Sequence, residues 1–135
     1  MDRYFMMTLL SLLFLSCSND DALSRKDGDW DDDIRLSKHE IVFDANNGSE
    51  VITSEGFWWL SSVKNPQSDV LYDGKGGIYT TGVLGIYEWM TLEKPTNKSL
   101  LIKVDQNTGG ERKFQIVVTS GDFFDYILVT QKGVK

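Results

Sequence analysis

Carboxylate and aromatic side chains are the residues of this 135-residue chain whose types and spacing could do chemistry. Paired carboxylates hydrolyse glycosidic bonds when a fold fixes their separation, and Asp69, Asp73 and Glu88 lie close together in the sequence. His39 is the only histidine, which excludes a histidine cluster for a metal ion or for activating a nucleophile. Nothing in the spacing of the carboxylates fixes a catalytic pair in so small a domain. We therefore predict that the chain is not an enzyme and needs no cofactor.

Exposed aromatic rings offer a different chemistry, because the C–H faces of sugars stack on them while polar side chains bind the sugar hydroxyls. The candidate ligand-binding residues lie in or beside the glycine-rich middle of the chain and are Trp59, Tyr72, Tyr79, Tyr87, Asn65, Gln67 and Asp73. The alternative is that these rings pack the middle segment onto a sheet. One exposed strip formed by Trp59 and the tyrosines would favour binding over packing.

Acidic residues cluster before the folded part, between Asp27 and Asp33. Such a run suggests calcium binding, because hard cations take several oxygen ligands. The order does not match an EF-hand loop, so a solvated charge run is the interpretation we favour, and we assign no metal ligands. The formal net charge of −6 excludes nucleic acid as a partner, since neutralisation of phosphates by basic residues drives that binding.

The elements that must position these residues are short strands separated by turn signals. Residues 100–118 alternate apolar and polar side chains on both sides of a turn at 107–110, and we predict a β-hairpin there. Alternation places Trp58 and Leu60 in the core and leaves Trp59 at least partly exposed. The last strand, residues 123–131, is apolar on both faces, which predicts a central strand or one covered on both sides.

No stretch of the chain shows the periodicity of a helix, so we predict an all-β sandwich of about six to eight strands over residues 34–135. Residues 64–86 are the least regular part and contain several glycines. We interpret them as a long loop inserted in the sandwich, of the kind that is often functional.

The first residues have the composition of a targeting segment. Residues 1–16 carry a positive charge and then an apolar run that is too short for a permanent membrane span. The sequence LFLSC at 13–17 resembles a bacterial lipobox, with an atypical Phe14, and Cys17 is the only cysteine. This resemblance implies cleavage before Cys17 and a lipid anchor on it, followed by a flexible linker at 17–33. A plain secretory leader with an incidental cysteine is the alternative.

Residues 18–21 (SNDD) resemble the surface-export signal of Bacteroidetes lipoproteins, which implies an outer-membrane protein that faces the extracellular side. A solvated tether would have the same composition. The membrane is thus the expected partner of the lipid, and a glycan or a protein the expected partner of the domain.

The folded part resembles the BACON family, a Bacteroidetes-associated module named for a proposed role in carbohydrate binding. Four motifs carry the resemblance, in order: 58–62 (WWLSS), 88–92 (EWMTL), 104–107 (VDQN) with Arg112, and 127–133 (ILVTQKG). The resemblance spans about residues 36–133 and implies an immunoglobulin-like sandwich. The stretch 63–87 is longer than the usual link between the two tryptophan motifs, which puts an inherited ligand site in doubt.

These observations together favour a non-catalytic surface lipoprotein module that binds glycans, of mucin or polysaccharide type, through exposed aromatic rings. The alternative is a structural spacer or a protein-assembly module at the cell surface. That alternative needs only a stable sandwich, a tether and an anchor.

Overall fold

The computed structural model describes residues 32–134, which form an all-β fold. The strands are β1 (Glu40–Phe43), β2 (Gly48–Thr53), β3 (Trp59–Asn65), β4 (Val70–Asp73), β5 (Gly82–Tyr87), β6 (Met90–Lys94), β7 (Ser99–Val104), β8 (Arg112–Ser120) and β9 (Phe123–Gln131). The predicted leader at 1–16, the lipidation of Cys17 and nearly all of the linker at 17–33 lie outside the described residues. Within 32–134, no helix is long and apolar enough to cross a membrane.

The strands form two sheets packed as a β-sandwich, which confirms the predicted fold class. The five-stranded sheet has the order β1-β9-β8-β3-β4, and the four-stranded sheet has the order β2-β7-β6-β5. Neighbouring strands are antiparallel, except for the parallel pair β1 and β9. The inward residues of both sheets make one hydrophobic core. The edge strands β4 and β5 both come from the middle of the chain.

The start of β3 obeys the predicted alternation. Trp58 and Leu60 are buried in the core, whereas Trp59 is half-buried on the opposite face. Lys94 is fully buried beside Trp58: its ammonium lies 4.5 Å from the centre of the indole ring and donates hydrogen bonds to the carbonyl oxygens of Trp58 and Ile78. This lysine ties the segment after β4 to the core.

The predicted hairpin at 100–118 is wrong in its pairing, although both strands exist. β7 pairs with β2 and β6 in one sheet, and β8 pairs with β3 and β9 in the other. β7 therefore has a neighbour on each side and no free edge for β8. The connection at 105–111 crosses between the sheets, and the backbone N–H of Asn107 in it donates to the carbonyl of Ala45. Alternation along a strand does not reveal which strand lies beside it.

The description of residues 64–86 as a loop is wrong for β4 and for most of β5. β4 is a short edge strand that keeps only Tyr72 partly buried, so it lacks a clear apolar face. The pairing of β5 with β6 shifts between Val83 and Gly85, and this irregularity breaks its alternation. These two strands bring the count to nine instead of six to eight. That the segment is an insertion relative to the family stays a prediction.

β9 occupies the central position that its sequence predicts, between β1 and β8. Its outer face is nevertheless not covered by the described residues. Tyr126 is 50% exposed and Phe124 is 49% exposed, whereas Ile127 and Val129 face the core.

Arg112 organises a network at one end of the sandwich. Its Nε donates to Oε1 of Gln131 at 2.8 Å, its Nη2 donates to the carbonyl of Asp105 at 3.0 Å, and its guanidinium lies 4.6 Å from the ring centre of Trp89. The buried amide of Asn107 donates to two carbonyl oxygens beside it, at Gly110 and Lys132. The network satisfies buried polar groups where the chain crosses between the sheets.

Candidate functional site

A cleft lies where the two edge strands β4 and β5 face each other at one side of the sandwich. Its volume is about 310 Å³, and its lining residues are Tyr72, Asp73, Lys75, Leu84, Gly85, Ile86 and Tyr87. Both sheets end there, so neither strand has a further neighbour to close the gap. The cleft is thus a product of the tertiary packing of two edges.

Tyr72 forms one wall of this cleft. It pairs with the core residue Val63 in the sheet register, so its side chain lies on the inner face of β4. Its ring contacts the ring of Tyr87 edge to face, with 5.5 Å between the centroids, and its hydroxyl donates to Oε2 of Glu88 at 2.7 Å. The hydrogen bond to the Glu88 carboxylate raises the pKa of the Tyr72 phenol above its ordinary value. Tyr72 is therefore neutral and fixed in orientation at physiological pH.

Glu88, which holds the Tyr72 hydroxyl, is in a strained backbone conformation. Its φ of 55° is in the left-handed region that residues other than glycine rarely adopt. It lies in the two-residue turn between β5 and β6, where a positive φ allows the chain to reverse tightly. The strained backbone is thus at Glu88, whose carboxylate fixes the orientation of Tyr72 in the cleft wall.

Tyr87 forms the floor of the cleft, and its hydroxyl is the group that is best placed to bind a ligand. Tyr87 is only 5% exposed, and its hydroxyl, which keeps some contact with solvent, has no hydrogen-bond partner within residues 32–134. A Cβ at Gly85 would lie 2.7 Å from this hydroxyl, so the glycine makes room for the phenol. Burial raises the pKa of the Tyr87 phenol, which keeps it neutral and able to donate. A hydroxyl that borders a cavity and has no protein partner is available to a ligand.

Two exposed side chains of opposite charge stand at the rim, Asp73 and Lys75. Asp73 pairs with Ser62, so it lies on the outer face of β4 while Tyr72 lies on the inner face. The cleft thus combines an aromatic wall, a free phenol, an acceptor and a cationic donor. This set of groups suits a neutral ring that carries several hydroxyls.

The structure brings together three of the seven predicted ligand residues: Tyr72, Tyr87 and Asp73 all line the cleft. Tyr79 lies elsewhere; it is 68% exposed and its ring contacts Phe57, with 5.5 Å between the centroids. Trp59 lies on the outer face of the five-stranded sheet. Trp59 and the tyrosines therefore do not form the one exposed strip that would have favoured binding over packing, because alternation sends Trp59 and Tyr72 to opposite faces.

The two predicted amide ligands are already engaged within the protein. Asn65 is buried in the turn after β3, and its Oδ1 accepts from the backbone N–H of Gln67 at 3.0 Å. The Gln67 side chain donates to the carbonyl of Glu111 and accepts from the backbone N–H of Lys113. These amides join the β3–β4 turn to the start of β8, and this structural role was not visible in the sequence.

Four lining residues were missed by sequence reasoning: Lys75, Leu84, Gly85 and Ile86. One of them had a local signal, since a glycine inside a strand often marks close approach of another group. The others gave none, because their place in the cleft depends on the pairing of β5 with β6.

A second cavity, of about 350 Å³, lies beside the start of β2 and the end of β7, and Asn47, Gly48, Ser49, Lys103, Val104 and Asp105 line it. It contains no aromatic ring for stacking, and Lys103 is already paired with Glu93. The cleft between β4 and β5 is the better candidate for a ligand site.

The three carboxylates considered for catalysis have different surroundings. Glu88 accepts the Tyr72 hydroxyl, Asp73 stands at the cleft rim and Asp69 lies in the turn before β4. His39 is far along the sheet on its opposite edge, where its Nε2 lies 2.8 Å from Oδ2 of Asp125. In the part of the chain that the structure describes, no group of three or more metal-ligating side chains is found.

Comparison with known proteins agrees with this description. The sequence model of the family described as "BACON: Putative binding domain, N-terminal" matches residues 85–132, so the resemblance to BACON is confirmed over that stretch. Comparison with curated proteins gives no significant match. Seven solved chains match significantly, among them the "NMR structure of the protein from Bacteroides thetaiotaomicron". That structure is similar with a TM-score of 0.62 and 21% identity, over 82% of this chain and 96% of its own.

The family match covers Trp89, Asn107, Arg112 and Gln131, the residues of the network at one end of the sandwich. These side chains bind one another and backbone carbonyls. In this structure the network residues therefore have a structural role, and the solved structure likewise shows the fold alone. Most of the cleft, from Tyr72 to Leu84, lies outside the matched stretch.

Proposed function

We propose that this chain is a non-catalytic module that binds carbohydrate in the cleft between β4 and β5. The family is described as a binding domain, which supports the general class. The choice of carbohydrate comes from the chemistry of the cleft itself. The observation that carries it is the Tyr87 hydroxyl, which borders the cleft on a buried ring and has no hydrogen-bond partner in the described part of the chain.

A pyranose ring matches the groups that the cleft presents. One face of such a ring is made of C–H groups that pack on Tyr72, and its edge carries hydroxyls that donate and accept. Tyr87 and Asp73 supply acceptors, and Tyr87 and Lys75 supply donors. A cleft of about 310 Å³ is at the lower end of the range for small-molecule sites, which fits one or two sugar rings.

The same proposal includes display of the sandwich at the outer cell surface by a lipid on Cys17. The apolar run that ends at this lone cysteine and the acidic residues 18–21 support it. Several acyl chains would make the anchor durable, since each buried methylene contributes about 0.8 kcal/mol. The linker at 17–33 would hold the cleft away from the membrane.

Glycan binding is tested with the soluble fragment that begins at Ser18. Both sheets and the whole core lie within residues 34–131, so this fragment keeps the complete folded unit. The fragment is run through gels that contain mucin glycans, arabinoxylan, galactomannan or starch, and its retardation is measured. We expect retention by one glycan class.

Tyr87→Phe locates the site, since it removes only the free hydroxyl. We expect a loss of affinity of about tenfold, the value of one good hydrogen bond to a ligand. Tyr79→Phe is the matched control, because that phenol is exposed and outside the cleft. Equal affinity of both variants and the wild type would place the glycan elsewhere. No retention by any glycan would reject the proposal and leave the spacer or assembly module.

A further inference from the structure

The outer face of the five-stranded sheet carries aromatic side chains in an ordered pattern. Trp59, Thr119 and Phe124 are register partners on the adjacent strands β3, β8 and β9, so they form one row across the sheet. Tyr126 lies two residues after Phe124 on the same face of β9. Both β9 rings are about half exposed.

The outer-face residue between two of these rings is shielded from solvent. Thr119 is on the outer face, because its neighbour Val118 faces the core, and yet Thr119 is only 3% exposed. Its hydroxyl donates to the carbonyl of Phe123 at 2.9 Å, which turns it away from solvent. Trp59 and Phe124 flank it on the two neighbouring strands. The outer face thus carries rings on β3 and β9, on either side of a shielded residue of β8.

A second row on the same face connects this surface with the cleft. The register pairs Tyr126 with Val117, Val117 with Ser62, and Ser62 with Asp73. Asp73 is also a residue of the cleft rim. The row spans three strand spacings of about 4.8 Å, so Tyr126 lies roughly 14 Å from the rim. The cleft rim and the outer face therefore meet at Asp73, at the end of the edge strand β4.

We infer that the carbohydrate bound in the cleft is a chain whose further residues lie across this outer face. This inference rests on the proposed function and specifies its ligand class. We call the surface the outer track and define it by Trp59, Ser62, Asp73, Val117, Phe124 and Tyr126. A chain that leaves the cleft past Asp73 stacks its later rings on Tyr126, Phe124 and Trp59, and binds the polar side chains between them.

The charge balance of the outer face favours an uncharged polymer over a polyanion. The face carries charges of both signs, Lys64 and Lys113 against Glu40 and Asp73, beside aromatic rings and exposed aliphatic side chains such as Leu71. A balanced face of this kind does not attract a polyanion. On a polysaccharide, the rings would contact the apolar face of each sugar unit and the polar side chains would bind its hydroxylated edge.

The test compares oligosaccharides of two lengths from the polysaccharide that retains the chain, for example xylobiose and xylohexaose for arabinoxylan. Affinities are measured by calorimetry for the wild type and for a double variant, Phe124→Ala with Tyr126→Ala. Tyr79→Ala is the control, an exposed aromatic residue outside both the cleft and the outer track. Thermal unfolding verifies that each variant is folded.

We expect the longer oligosaccharide to bind at least about tenfold more tightly than the shorter one, as two stacked rings would give. The double variant should lose this gain and keep its affinity for the shorter oligosaccharide. Tyr87→Phe should weaken both, and Tyr79→Ala should weaken neither.

The outer track would be rejected as a binding surface if the wild type bound both oligosaccharides with equal affinity. It would also be rejected if the double variant still bound the longer one more tightly. Either result would leave the cleft as the proposed site. If the double variant loses both oligosaccharides while Tyr87→Phe loses neither, the cleft is wrong and the outer face alone is the site. Failure to bind either length would overturn the proposed function together with this extension.

Discussion

Tyr87→Phe should make the protein more stable, although it removes a polar contact site from the cleft. The substitution leaves the ring in place, so it creates no cavity. A fully buried hydroxyl without a partner costs about 1 to 3 kcal/mol in proteins, and the Tyr87 hydroxyl is only partly shielded from solvent. The Tyr87 hydroxyl borders the cleft, so we take the lower end and expect the free energy of unfolding to rise by about 1 kcal/mol. For a domain of this size that corresponds to a rise in Tm of roughly 4 to 8 °C.

Urea unfolding followed by tryptophan fluorescence measures this change, because Trp58 and Trp89 are both buried in the folded sandwich. An unchanged slope with urea would show that the denatured state is the same. Tyr72→Phe is the matched control, since it removes the same atom from the facing ring. That hydroxyl does have a partner, Glu88, so this variant should be less stable than the wild type.

The reasoning is refuted if Tyr87→Phe lowers the free energy of unfolding by about 1 kcal/mol or more. That result would mean that the hydroxyl is bonded in the folded protein, and that it is not held in reserve for a ligand. If Tyr87→Phe raises the free energy of unfolding and Tyr72→Phe lowers it, the Tyr72 hydroxyl has a structural role and the Tyr87 hydroxyl is available to a ligand. Stability given up at one residue is a common mark of a functional site.

Further predictions concern the residues that shape the cleft and the core. Gly85→Ala should destabilise the protein by about 1 to 3 kcal/mol, because the new Cβ displaces the Tyr87 phenol. It should also abolish binding to the glycan that retards the wild type. Urea unfolding measures the first effect and gel retardation the second. Trp58→Ala should cost about 3 to 5 kcal/mol in thermal or urea unfolding, and a neutral result would contradict its place in the core. Burial lowers the pKa of Lys94, so the folded state binds fewer protons than the unfolded state below the ordinary value of 10.5. Stability should therefore rise as the pH rises from the folded pKa towards 10.5, and Lys94→Met should lose that rise in unfolding measurements over the same range.

Several properties of this protein followed from the sequence because their causes are local. A strand alternates its faces whatever it pairs with, so the sequence placed Trp58 in the core and Trp59 outside it. The absence of helical periodicity and the spacing of turn signals predicted an all-β sandwich. Side-chain chemistry named seven ligand candidates, and the structure gathers three of them, Tyr72, Tyr87 and Asp73, in one cleft.

Pairing and exposure were decided only by the tertiary structure. The strands at 99–104 and 112–120 have the alternation of a hairpin, but each finds its neighbours in a different sheet. The apolar faces of β9 predicted a strand that is central or covered on both sides, and the structure makes it central with Tyr126 half exposed. The engagement of Asn65 and Gln67 depends on a turn that meets β8 across the sheet.

The cleft itself exists because the edges of two sheets meet. β4 and β5 are short, irregular strands with little pattern of their own, and each is defined by the strand beside it. The alternation of side chains is a property of the backbone over a few residues, so one sequence is enough to show it. Which strands form the two edges, and where these edges meet, depends on every strand pairing in both sheets. Only the folded chain shows those pairings.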